Sequence, residues 1–123
     1  MKENILAIDC GTQSVRALLF NPRGELLVKS KIPIEPYYSE KPGWAEQDPE
    51  VFWSALCQAC QAVFSDPKAD KSSIAAVTLT SQRSTVVNLG KDGRPLRPAI
   101  IWPDQRRASR FPKVGGFWGL AFN

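Results

Sequence analysis

The sequence predicts an α/β fold in which a mixed sheet begins with a three-stranded antiparallel meander. Strand-like apolar runs separated by short turns fill the first third of the chain, and a stripe with helical spacing follows. Further apolar strand-like runs come after that helix. The chain has 123 residues, of which 43% are hydrophobic, which is enough for one core without disulfides. The predicted order is β-β-β-α-β-β-β-α.

The meander comes first. Asn4 to Cys10 and Val15 to Phe20 are rich in aliphatic residues and are separated by a turn that carries Gly11, so both are predicted strands. An Asn-Pro-Arg-Gly turn over residues 21–24 follows. Leu26 to Ile34 then alternates between apolar and polar residues, which predicts a third strand with one face partly in water.

A helix is predicted after a loop, Glu35 to Gln47, that is rich in proline and aromatic residues. Asp48 suits the N-cap and Pro49 the first helical position. The helix is expected to run to about Ser65. Its apolar stripe recurs at three- and four-residue spacing: Phe52, Ala55, Leu56, Ala59 and Val63.

The second half predicts three more strands. Ile74 to Thr80 reads as a buried strand, Thr85 to Leu89 as another, and Ala99 to Trp102 as a short one. Residues 103–106, Pro-Asp-Gln-Arg, are expected to open a second helix. Asp104 would cap that helix or point into a cleft.

Composition excludes several classes of protein. The net charge is +4, but the basic residues are scattered, which argues against nucleic acid as a partner and weakly favours anionic ligands. No apolar run approaches the length that spans a bilayer, and no secretory signal is apparent at the N-terminus. We therefore expect a cytoplasmic protein with no membrane partner.

The chain contains no histidine, which removes Ser-His-Asp and Cys-His nucleophilic machinery. Its three cysteines do not form a disulfide framework. Cys57 and Cys60 have C-x-x-C spacing, but they fall inside the predicted helix without a second pair, so they do not predict a zinc site.

The last segment, FPKVGGFWGLAFN, places seven apolar or aromatic side chains near the chain end. Unpartnered side chains of this kind favour association, so we expect this tail to mediate self-association or to mark a chain cut from a longer protein. A natural end whose tail docks on its own sheet is the alternative.

The first turn, within AIDCGTQSVRALLF, carries the clearest candidate chemistry. Successive strand residues face opposite sides, so Asp9 and Cys10 cannot both face one ligand. A carboxylate beside a glycine turn can hold hydrated Mg²⁺ while the turn binds a polyphosphate. Thr12 and Ser14 would supply hydroxyl donors and Arg16 a cation. From these residues alone, a simple hairpin is an equally good interpretation.

Motifs further along the chain decide between the two. AIDCGTQSVRALLF, KPGWAEQDPEVFW and VTLTSQRSTVVNLGKDGRPLRPAIIWPDQR together resemble the start of the FGGY carbohydrate kinases, members of the actin-like ATPase superfamily with a ribonuclease H-like fold. Four motifs in the right order cover residues 5 to about 110. The resemblance implies that residues 1–123 are the first part of an incomplete N-terminal domain.

The resemblance also implies a site. Asp9 would lie near Mg²⁺, and the phosphate-binding residues would be Gly11, Thr12, Gln13, Ser14 and Arg16. Gln13 replaces a hydroxyl residue that is common in the family.

Gln82 and Arg83 of the SQRS turn would bind substrate hydroxyls, with Trp102 and Asp104 of WPDQR in or beneath the pocket. Glycerol kinases have glutamate where this chain has Ser84, so a pentulose-type substrate is favoured over glycerol. For Asp104 and Arg106, a helix cap and an ion pair are the alternative.

The implied reaction is ATP + sugar → ADP + sugar phosphate, with ATP and Mg²⁺ as cofactors and a small sugar or polyol as partner. The family's general base and adenosine site match nothing in this chain, so the catalytic residue is unknown and the chain alone is expected to be inactive. One alternative is a non-catalytic binding or self-association module with the same fold. Another is a non-kinase member of the superfamily.

Overall fold

The computed structural model describes residues 2–107 and 115. In chain order the elements are β1 (Asn4–Cys10), β2 (Ser14–Phe20), β3 (Leu26–Pro33), β4 (Glu46–Gln47), α1 (Glu50–Phe64), a 3₁₀ turn (Lys71–Ser73), β5 (Ile74–Ser81) and β6 (Ala99–Ile100). Among the described residues the main sheet has the order β3-β2-β1-β5. The β1–β2 and β2–β3 pairs are antiparallel and the β1–β5 pair is parallel, which confirms the predicted meander and mixed sheet.

The core lies between one face of β1–β3 and α1. Alternate strand residues supply it, together with small residues of the helix: Leu6, Ile8, Val15, Ala17, Leu19, Val28, Ala55, Ala59 and Val63. Cys10 packs against this cluster, whereas Asp9 has the opposite orientation because side chains alternate along β1. The face of the sheet away from α1 is therefore the one that can present Asp9 and Arg16 to a ligand.

The start of α1 agrees only in part with the predicted cap, because the structure places the N-cap at Pro49, one residue after Asp48. The Asp48 carboxylate accepts a hydrogen bond from the Glu50 amide at 3.0 Å, and Pro49 has helical angles at the boundary. The helix ends at Phe64, one residue before the predicted end. Cys57 and Cys60 lie within it, as predicted.

The prediction that Ile74 to Thr80 is a buried strand is right about the strand and wrong about its burial. Val77 and Leu79 are 61% and 59% exposed. Their side chains face the same side as Leu6 and Ile8, because these residues are register partners on β1. The helix α1 packs mainly over β2 and β3.

The predicted strand from Thr85 to Leu89 is absent from the described chain. Only isolated bridges form there, between Val86 and Ile100 and between Leu89 and Pro95. Prolines at positions 95 and 98 have no amide hydrogen, which interrupts a continuous ladder. The predicted loop before α1 instead supplies β4, which pairs with β6.

The last predicted elements differ as well. The strand from Ala99 to Trp102 is reduced to β6, and residues 103–107 form turn and coil rather than the start of a helix. The apolar tail and its predicted self-association lie outside the described residues. Within the described ranges, no helix is both long and apolar enough to cross a membrane.

Candidate functional site

The turn between β1 and β2 is closed by a hydrogen bond from the Gly11 amide to the Ser14 carbonyl, 3.0 Å long. A Cβ on Gly11 would come within 3.2 Å of that carbonyl, so glycine suits this close approach. The Thr12 carbonyl accepts from Gln47 Nε2 at 3.0 Å, and the Gln13 carbonyl accepts from the Ile34 amide at 2.9 Å.

The carbonyls of Thr12 and Gln13 accept hydrogen bonds from other parts of the chain, whereas the amides of the same two residues differ. The amides of Thr12 and Gln13 donate no hydrogen bond within residues 2–107 and 115. Successive free amides in a turn form a concave site of positive potential that suits an anion. The predicted role of this turn in phosphate binding stays a prediction, with which these two amides are compatible.

A cleft of about 320 Å³ opens at this turn. All five residues predicted to bind phosphate line it: Gly11, Thr12, Gln13, Ser14 and Arg16. Ser14 is only 5% exposed but still contributes to the wall. Sequence reasoning missed the two other lining residues, Lys31 and Pro33 of β3.

Asp9 lies directly opposite Arg16 in the β1–β2 register. Arg16 Nη1 is 2.6 Å from Asp9 Oδ2, and the two side chains are 47% and 38% exposed. Within the described part of the chain, no group of three or more aspartate, glutamate, cysteine or histidine residues could hold a metal ion. Mg²⁺ commonly takes one or two protein carboxylates and completes its shell with water and phosphate, so the assignment of Asp9 to Mg²⁺ stays a prediction.

The SQRS turn and Trp102 meet around a second pocket, of about 430 Å³. Gln82, Arg83, Ser84 and Trp102 line it, so the structure brings together three of the four residues predicted to bind substrate. Gln82 Oε1 is buried and has no hydrogen-bond partner among the described residues. A buried acceptor without a partner costs free energy, which a ligand hydroxyl would offset.

Ser84 shapes this turn through its backbone. Its φ of 58° lies in the left-handed region, which is uncommon for residues other than glycine, asparagine and aspartate. Such angles persist where the surrounding structure holds them.

A third cavity, of about 230 Å³, has lining residues in common with each of the other two. It shares Thr12 and Gln13 with the phosphate cleft and Trp102 with the SQRS pocket. Its remaining walls are mostly apolar: Ile34, Pro36, Tyr37 and Pro103. Each of the two predicted halves of the site therefore contributes residues to the wall of this third cavity.

Asp104, the fourth predicted substrate residue, does not line these pockets. It belongs to what we term the junction, formed by Trp44, Glu46, Asp104 and Arg106. Asp104 Oδ2 accepts from the Ala45 amide at 2.7 Å, and both carboxylate oxygens accept from Arg106 Nε at 2.8 Å. Only 3% of the Asp104 side chain is exposed, so its assignment to substrate stays a prediction that these contacts do not favour.

The charged side chains of the junction bind one another, because Arg106 pairs with both Glu46 and Asp104. Arg106 Nη2 donates to Glu46 Oε1 at 2.8 Å, and the guanidinium lies 3.9 Å from the centre of the Trp44 ring. Arg97 also binds Glu46. Hydrogen bonds from Arg106 hold the pKa of Asp104 well below its usual range. The alternative interpretation of Asp104 and Arg106 as an ion pair agrees with these contacts.

Comparison with known proteins supports the same conclusion as the motifs. The family model described as "FGGY family of carbohydrate kinases, N-terminal domain" matches residues 4–114. A glycerol kinase from Nitrosomonas eutropha is 41% identical over 103 residues, which is 83% of this chain and 20% of that protein. The chain thus spans about a fifth of the length of that relative.

Solved structures agree. A xylulose kinase from Brucella ovis superimposes with a TM-score of 0.78 at 30% identity, over 84% of this chain and 22% of that one. Plasmodium falciparum glycerol kinase, solved with ADP, gives a TM-score of 0.66 at 28% identity, over 84% of this chain and 21% of that one. These neighbours have the actin-like ATPase fold, which confirms the predicted fold class. This chain belongs to the FGGY family of carbohydrate kinases.

Proposed function

We propose that this chain is the N-terminal part of an ATP-dependent kinase that phosphorylates a hydroxyl of a sugar or polyol, with pentulose-type sugars preferred over glycerol. The main support is the cavity whose wall includes Thr12 and Gln13 of the phosphate cleft and Trp102 of the SQRS pocket. Phosphoryl transfer needs a phosphate chain and an acceptor hydroxyl held side by side, and two pockets that share a cavity wall would suit that arrangement.

The phosphate end would bind the polyphosphate of ATP. The amides of Thr12 and Gln13 would donate to phosphate oxygens, and Arg16 would offset their charge. Asp9 would hold Mg²⁺ through a carboxylate oxygen, and the ion would supply further neutralisation of the phosphate charge. The proton acceptor and the adenosine site would lie in other parts of the kinase.

The SQRS pocket would orient the acceptor. Gln82 Oε1 can accept a hydrogen bond from a hydroxyl, and Arg83 can donate to another. The Trp102 ring, 64% exposed as a residue, offers an apolar face to the carbon-bound hydrogens of a sugar. Ser84 adds no carboxylate to this pocket, which supports a pentulose-type substrate, although named relatives include glycerol kinases as well as xylulose kinases.

A non-catalytic self-association module is the second candidate. The exposure of Val77 and Leu79 on β5 favours it, because a row of apolar side chains on an edge strand is a surface for association. In this case the chain would form oligomers and would bind neither sugar nor phosphate.

The first experiment measures ADP release by the purified 123-residue chain with D-xylulose, D-ribulose, D-gluconate and glycerol. We expect no turnover, because the proton acceptor and adenosine site are assigned elsewhere. Turnover would contradict the proposal that the proton acceptor and the adenosine site lie in other parts of the kinase. Size-exclusion chromatography with light scattering separates a monomer from the oligomers that the second candidate requires.

The second experiment tests the sugar pocket by ligand-detected NMR. We expect D-xylulose to bind more tightly than glycerol, with millimolar affinity on the order of that for a small ligand in an open site. Arg83→Gln should abolish detectable binding, whereas Arg94→Gln, an equal charge change at a side chain 86% exposed, should not. Tighter binding of glycerol, or equal losses in both variants, would contradict the proposed substrate pocket.

A further inference from the structure

Lys31 of β3 faces the phosphate cleft. It is the register partner of Arg16 across β2 and β3, so the two side chains lie on the same face of the sheet. Asp9 and Arg16 are partners in the same way, which produces a row Asp9, Arg16, Lys31 along that face. The row ends beside the amides of Thr12 and Gln13, because Lys31 and those residues line the same cleft.

Arg16 already has a carboxylate partner. Its guanidinium is 2.6 Å from the Asp9 carboxylate. Lys31, in contrast, forms no ion pair with a carboxylate in the part of the chain that the structure describes. Lys31 therefore supplies the cleft with positive charge that no neighbouring carboxylate offsets.

The pairing of Arg16 with Lys31 points in the same direction. Like charges directly opposite each other on adjacent strands are destabilising. An anion bound between them would turn this repulsion into attraction for both cations.

We propose that Lys31 is a phosphate-binding residue whose ammonium group contacts the oxygens of a polyphosphate held by the Thr12 and Gln13 amides. The inference rests on the proposed function and adds to it a residue from β3. Phosphate binding then depends on two elements, the turn after β1 and the end of β3, rather than on the turn alone.

The chain provides a matched control in Lys29. It lies two residues along the same strand, faces the same side, is exposed and has Leu18 as its register partner. It does not line the cleft, and its backbone lies about 6.6 Å from that of Lys31 along the strand. Lys29→Gln and Lys31→Gln therefore change the net charge equally and differ in position.

The experiment titrates the isotopically labelled chain with inorganic tripolyphosphate, without metal, at low ionic strength. The backbone amide signals of Thr12 and Gln13 report binding. We expect Lys31→Gln to weaken binding about three- to tenfold, Lys29→Gln to weaken it less than about twofold, and Lys31→Arg to retain it. Unchanged thermal unfolding of the variants would verify that each is folded.

The outcomes separate two failures. If the wild-type amides do not respond to millimolar tripolyphosphate, both the phosphate site and the role of Lys31 are overturned. If the wild type binds while Lys31→Gln and Lys29→Gln lose affinity equally, the role of Lys31 alone is overturned and the phosphate turn stands.

Discussion

The phosphate turn and the junction use the same kinds of side chain in opposite ways. At the turn, the side chains of Asp9 and Arg16 are 38% and 47% exposed and form one contact between them. At the junction, the side chains of Glu46 and Asp104 are 6% and 3% exposed, and the network binds its own carboxylates. The fold uses the charges of the junction for itself and leaves those of the turn accessible to ligands.

Neutralising a carboxylate in each region should give the largest difference. The Asp104 carboxylate accepts hydrogen bonds from four donors. Asp104→Asn puts an amide N–H group among these donors, so we expect Tm to fall by about 5 to 10 °C. Asp9→Asn breaks an exposed pair and should lower Tm by less than about 2 °C. Differential scanning calorimetry of the two variants measures both values. A larger loss in Asp9→Asn would reverse the comparison.

The second largest effect is expected in the decrease of the free energy of unfolding at acid pH, to which the Asp104 carboxylate of the junction contributes. Because the pKa of Asp104 is lowered in the folded state, the unfolded chain binds more protons than the folded chain as the pH falls toward the ordinary carboxyl value. The contribution of Asp104 is therefore complete above about pH 4 and is lost below it. We expect Asp104→Asn to lose less stability than the wild type between about pH 4 and pH 2 in urea unfolding.

Some acid dependence should persist in that variant. The pKa of Asp70 is lowered by hydrogen bonds from Ser72, and that of Glu25 by Arg23 and Asn21. Parallel profiles for the wild type and Asp104→Asn would show that the junction carboxylate does not titrate with folding.

The smallest effect on stability is expected at Arg16. Arg16→Gln removes an ion pair that is about half exposed, so the free energy of unfolding should change by less than about 1 kcal/mol. The same variant should weaken tripolyphosphate binding, since it removes a cation that lines the cleft. Urea unfolding and the NMR titration measure the two effects, and a large loss of stability with unchanged binding would assign Arg16 to the fold.

Local features of both regions could be predicted from the sequence. Three features depend on residues close together in the chain: the meander, the helix start after Asp48 and the turn around Gly11. The spacing of apolar residues and the types of residue in the turns identify them. The resemblance to FGGY kinases added the pairing of the SQRS turn with Trp102.

The rest depends on contacts between distant residues. No pattern in the sequence shows that Asp104 binds the amide of Ala45, because 59 residues separate them. The same reason accounts for the short β4–β6 pair. Lys31 could have been found from the expected β2–β3 register, since it alternates onto the face that carries Arg16.

The contact between Asp9 and Arg16 also determines how ligands would reach the turn. Because Arg16 belongs to the same chain as Asp9, its effective concentration at the carboxylate is on the order of millimolar or higher. A cation that binds Asp9 Oδ2 would therefore compete with the guanidinium. The cation would replace the guanidinium of Arg16 at the Asp9 carboxylate, and the released guanidinium would become available to an anion in the adjoining cleft. Cation and anion would be linked through one side chain, and by thermodynamic reciprocity each would raise the affinity for the other by the same factor.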